Sequence, residues 1–137
     1  MAVWISILAL ILASATAAPA AAQSTEVIYG RDVRPILSDQ CFRCHGFDEA
    51  SRQAELRLDV ADSAYKDRDG HAAIVPGDVK ASELWRRITS SDEAELMPPP
   101  ETHHTLNNEQ KHTLRRWIEG GAQYTGHWSF IPPVKAA

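Results

Sequence analysis

Both cysteines of the chain lie in one six-residue stretch, CFRCHG, from Cys41 to Gly46, and His45 directly follows the second. On a helical turn, residues three apart project from nearly the same side. Two thiols so placed can each form a thioether to one vinyl group of a single porphyrin. The histidine then offers a nitrogen to the iron, which is the attachment pattern of a c-type haem. A chain that uses the motif this way must set a short rigid helical unit against a large, flat, apolar ring.

Other uses of the motif fit less well. A redox dithiol of the thioredoxin kind needs a strand before it and a helix after it. Here a helical pattern precedes it and no parallel-sheet pattern follows. A zinc site needs two further donors, for which His103 and His104 are available, but no second CxxC supports it. A disulfide between residues three apart closes a very small loop and removes little unfolded-state entropy.

The chain has 137 residues, 44% of them hydrophobic, which suits one packed domain. Its net charge of −4 leaves no basic stripe to neutralise phosphates, so nucleic acid is not an expected partner. Residues 1–22, MAVWISILALILASATAAPAAA, carry no charged side chain. An apolar run from Val3 to Leu12 gives way to small residues ending in Ala20-Ala21-Ala22. This is the pattern of a secretory signal, although its first residues lack Lys or Arg. The run is short for a bilayer span. The expectation is an exported, periplasmic or otherwise extracytoplasmic protein that matures near Gln23 without stable membrane insertion.

The mature part reads as helices separated by long irregular connections. DVRPILSDQ suggests a helix capped by Asp32, with Pro35 in the first turn and Val33, Ile36 and Leu37 on one face. Leu56 and Leu58 alternate with polar residues as in a brief extended piece. Asp59 suggests the cap of a helix that Gly70 stops. IVPGD signals a turn, and ASELWRRI a helix with Leu84, Trp85 and Ile88 inward. LMPPPETHH has three successive prolines, which oppose regular structure. The last helix has Asn107 and Gln110 as a capping box, an apolar stripe of Leu114, Trp117 and Ile118, and Gly120-Gly121 at its end. Connections this long point to something besides side chains filling the core, and a covalently held ring would do so.

Met97, in LMPPP, is the one methionine left once residues 1–22 are removed. A lone methionine is ordinarily core filler. The stiff proline run beside it suits a thioether held against an iron, and Met/His ligation suits electron transfer. His103 and His104 are the alternative distal donors, followed by His71 and His112. All four read most simply as solvated surface residues. His127 lies in the tail.

DVRPILSDQCFRCHG, LRLD, IVPGDVKASELWRRI, MPPP and LRRWIEGGA followed by HWSF together resemble the planctomycete cytochrome c family, from about Tyr29 to Phe130. The resemblance implies an all-α, cytochrome-c-like domain of helices and long loops wrapped around one haem c. Cys41 and Cys44 would be its two thioether links, His45 its proximal ligand and Met97 its distal ligand. The expected organisation is a signal peptide at 1–22, a c-type cytochrome domain at 23–126 and a tail at 127–137. HWSFIPP resembles the exit of such a module towards further domains.

The expected role is electron transfer with a redox partner protein rather than catalysis. Two other roles fit a CxxCH chain. One is a ligand-binding, sensing or peroxidase-like haem with an open distal site. The other is a haem docking module of a larger protein.

Overall fold

The computed structural model describes residues 26–124. The expected signal segment and the tail with His127 lie outside the described residues. Helical backbone begins at Tyr29, in a wide π-helical turn over Tyr29–Val33 that runs straight into α1, Arg34–Gln40. Asp32 is therefore not the cap its position suggests. Its carboxylate instead accepts from the Ile28 N–H at 2.8 Å and from Arg31 Nε at 2.7 Å. Pro35 sits in the first turn, where its missing N–H leaves no bond unmade. Val33 and Leu37 are fully buried, and Ile36 packs at the edge of the core.

α2 is a single turn, Phe42–His45, and α3 spans Ala61–Tyr65. Asp59 does not cap α3. The cap position is Val60, and the Asp59 carboxylate is taken by Arg57, 2.5 Å away. Leu56 lies in irregular backbone and Leu58 in a turn, neither in a strand, with Leu58 in the core. A two-stranded antiparallel hairpin follows, β1 (Asp67–Arg68) with β2 (His71–Ala72). Asp69 and Gly70 both have positive φ between the strands, the backbone a tight hairpin turn requires. The fold is thus mostly helical with a small sheet, where the sequence pointed to helices alone.

The IVPGD turn forms as expected, with Gly77 at φ +82°. Ser82, just before the next helix, is buried and ties back to the turn, donating to the Asp78 carbonyl at 2.7 Å and accepting from the Val75 N–H at 2.9 Å. α4 is Glu83–Ile88. Leu84 and Ile88 are buried, but Trp85 is only half-buried and borders an open groove with Val79, Lys80 and Arg115. The proline run is irregular until Pro100, which opens a 3₁₀ turn to Thr102. α5, Asn108–Glu119, has both halves of its capping box, each at 2.9 Å. Leu114, Trp117 and Ile118 are its buried stripe, and Gly121 at φ +95° ends it.

One cluster forms the core of the described residues: Val33, Leu37, Leu58, Ile74, Ile88, Leu114 and Ile118 at its centre, each at most 2% exposed. These buried residues are all apolar side chains. An aromatic group closes one side. The Tyr124 ring lies 4.5 Å from that of Tyr29 and 5.1 Å from that of Trp117. Tyr124 donates its hydroxyl proton to the Leu58 carbonyl at 3.0 Å, and Tyr65 donates to the Ala122 carbonyl at 2.6 Å. Half-buried phenols with such partners satisfy both halves of an amphipathic ring.

Candidate functional site

α1 delivers the chain to Cys41, which ends that helix and precedes α2. The Cys41 carbonyl accepts from Cys44 N–H at 3.1 Å and from His45 N–H at 2.8 Å. All three side chains therefore leave one helical turn. Cys41 and Cys44 are free thiols, each half-buried. Burial pushes the Cys41 thiol up to about 12, and the neighbouring Cys44 adds to the rise. Burial also lowers the pKa of His45, which favours the neutral, donor form of the imidazole.

The segment after the turn folds back and ties it down. Gln53 N–H donates to the Cys44 carbonyl and Leu58 N–H to the His45 carbonyl, both at 2.8 Å. Arg52 donates through Nε to the Gly46 carbonyl at 3.1 Å and through Nη2 to the Phe47 carbonyl at 2.8 Å. The carbonyls that a helix end leaves unpaired are thereby satisfied by one returning loop. Gly46 permits the close approach. A Cβ there would lie 2.3 Å from the Phe42 carbonyl oxygen, well inside contact distance. The histidine in CxxCH announces a ligand, but Gly46, Arg52 and Gln53 are support that the motif does not name. The glycine directly after the histidine was the available signal.

These residues fit a c-type haem. Two unpaired thiols at helical spacing can form two thioethers. The His45 Nδ1 atom is buried and makes no hydrogen bond, although the Gln53 backbone lies near enough to favour a proton on the ring. A ring enclosed at Nδ1 has Nε2 left to donate, and an iron-bound histidine commonly gives its other N–H to a backbone carbonyl. Among the described residues, no three His, Cys, Asp or Glu side chains converge as metal donors. The four-donor zinc alternative therefore gains no support from the fold.

Met97 is carried by a different element. It lies half-buried in the connection between α4 and the 3₁₀ turn, and its N–H donates to the Arg87 carbonyl at 3.2 Å. The Met97–Pro98 peptide is cis. The other histidines divide: His71, His103 and His112 are exposed, and His104 is half-buried. No described helix is long and apolar enough to cross a membrane.

The family model described as Planctomycete cytochrome C matches residues 41–101. No curated protein and no solved structure matches the chain. The matched span opens on Cys41 and closes in the 3₁₀ turn after the proline run, so it includes the whole hook and the Met97 connection. Over residues 41–101 the chain is therefore similar to the planctomycete cytochrome C family, the family its sequence segments resemble.

Proposed function

We propose that this domain is an electron carrier that holds one haem c through thioethers from Cys41 and Cys44, with His45 as proximal and Met97 as distal donor. The observation that carries the reading is the single turn bearing two unpaired thiols and a half-buried imidazole, inside a family-matched segment. The family itself points to electron transfer rather than catalysis. When bound, the haem supplies an iron that cycles between ferric and ferrous states, and thioether ligation favours the ferrous one.

The protein's own contribution is orientation. α1 and the returning loop fix the turn from both sides, so His45 has little freedom to swing. Burial lowers its pKa and so favours the unprotonated ring that can donate. Met97 enters from a separate connection stiffened by prolines. With His45 and Met97 both as donors, a bound haem would have no free coordination position, which would suit a carrier better than a ligand-binding or peroxidase-like site. The partner is a second redox protein, not nucleic acid. The domain acts outside the cytoplasm after removal of residues 1–22, without remaining in a membrane.

Intact mass and a haem-stained denaturing gel test the attachment and the processing together. Protein made with haem-attachment machinery should carry the mass of one haem and lack residues 1–22. A chain that stays at apoprotein mass while that machinery loads a control cytochrome refutes the haem reading. A haem-loaded chain that keeps Met1 refutes the processing alone. Met97→Ala should lower the reduction potential and admit carbon monoxide to the iron while the haem stays attached. Unchanged potential and spectrum would remove Met97 from the ligand set.

A further inference from the structure

The connection that carries Met97 is anchored to α4 by an ion network of four residues. Glu83 accepts both Nε and Nη2 of Arg86, at 2.8 and 2.6 Å, and Nε of Arg87 at 2.8 Å. Arg86 reaches outward with Nη1 to the carboxylate of Glu95. Arg87 reaches the same connection with its backbone, accepting the Met97 N–H at 3.2 Å. Two consecutive arginines, both fixed by Glu83, thus hold the chain at Glu95 and at Met97. Between α4 and these anchors, Asp92 organises a turn. Its carbonyl accepts from Glu95 and Leu96 N–H at 3.0 and 2.9 Å, and its side chain from Ala94 N–H at 2.9 Å. After Met97 the prolines and the Thr102 hydroxyl, which donates to the Pro99 carbonyl at 2.7 Å, stiffen the other flank.

We infer that Glu95, Arg86 and Glu83 are positioning residues for the Met97 thioether, a clamp that keeps the sulfur presented instead of letting the connection swing away. The inference rests on the proposed role of Met97 as distal donor. It assigns a purpose to charges that local helix stability does not require. The Glu83–Arg86 and Glu83–Arg87 pairs are ordinary helix-surface pairs, but the link from Arg86 to Glu95 leaves the helix and spans to the loop. Both ends of that link are more than two-fifths exposed. Such pairs contribute modestly and are screened by salt. The clamp should therefore bias the connection rather than lock it.

The probe is added imidazole, which competes with a thioether for ferric iron and is read by the visible spectrum of the haem-loaded protein. Glu95→Gln should raise apparent imidazole affinity about fivefold at low ionic strength, the range expected for losing one exposed ion pair. Added salt should bring the wild type towards the variant while barely moving the variant. Arg115→Gln is the matched control. It breaks a similarly exposed pair with Glu119, 2.8 Å apart on α5, and should leave imidazole affinity unchanged. In a Met97→Ala background, where affinity is already raised, Glu95→Gln should add nothing.

Equal effects of Glu95→Gln and Arg115→Gln would show general loosening and overturn the clamp. A response to Met97→Ala with none to Glu95→Gln would overturn the clamp alone. No response to Met97→Ala would remove Met97 as the ligand and the clamp with it.

Discussion

Replacing Glu83 by Gln keeps the shape of the side chain and removes the charge that joins two arginines. The structure sets the size of the effect. Hydrogen bonds from Arg86, and then from Arg87, hold the Glu83 carboxyl down from its usual 4.5 to about 2. At about 1.4 kcal/mol per tenfold change in proton affinity, that depression sets an upper bound of about 3 kcal/mol. The arginine side chains, however, are 44% and 34% exposed. Exposed pairs of this kind are measured at up to about 1 kcal/mol each, so solvent screening decides, and the expected loss is about 1–2 kcal/mol at pH 7.

The sign fixes where the loss is seen. A carboxyl whose folded pKa is depressed stabilises the fold fully above its unfolded value, and that stabilisation is lost as pH falls through the folded value. Wild type and Glu83→Gln should therefore differ by a constant amount above about pH 5. The two should converge between about pH 4.5 and 2 as the wild-type carboxylate takes up its proton. Urea unfolding of the haem-loaded proteins, followed by far-UV circular dichroism, measures the difference at each pH. Contributions common to both proteins cancel. A gap that persists undiminished at pH 2 would show that lost shape, not lost charge, was responsible. A gap below about 0.3 kcal/mol at pH 7 would show that the network carries no stability at all.

Two further outcomes follow from single positions. Gly46→Ala would set a methyl group 2.3 Å from the Phe42 carbonyl. The hook must then shift, at a cost of about 1–3 kcal/mol and with a visible spectrum altered from wild type; an unchanged melt and spectrum would deny the close approach. Asn107→Ala removes the acceptor for the Gln110 N–H at the start of α5 and should cost about 1 kcal/mol in urea unfolding, with Asn107→Asp retaining most of it.

α5 was legible because its signals are local: a capping box, a stripe at helical spacing and a glycine stop, all within one continuous segment. Asp32 and Asp59 misled for an equally local reason. Each is an ordinary cap residue, but each stands beside an arginine, Arg31 or Arg57, that takes its carboxylate. The hairpin at 67–72 was carried by Asp69-Gly70, a strong turn signal. With strands of only two residues, no alternating pattern existed to support it. That Cys41, Cys44 and His45 leave one helical turn could be read from their spacing. Arg52 and Gln53 could not, since their role depends on a loop returning to bond the carbonyls before it. The anchoring of Met97 was hidden for the same reason: the Arg86–Glu95 and Arg87–Met97 contacts cross from a helix to a loop, and no helical or strand period describes that crossing.

The aromatic closure has a consequence for the order in which the chain assembles. Tyr65 bonds to Ala122 across 57 positions and Tyr124 to Leu58 across 66, while Tyr29 waits for the same C-terminal rings. Joining ends so distant costs chain entropy before any contact repays it. A chain growing from its N-terminus cannot close this face until Tyr124 has been made. Until then Tyr29 and Tyr65 lack the ring that completes their cluster, and the Leu58 carbonyl lacks its phenol donor.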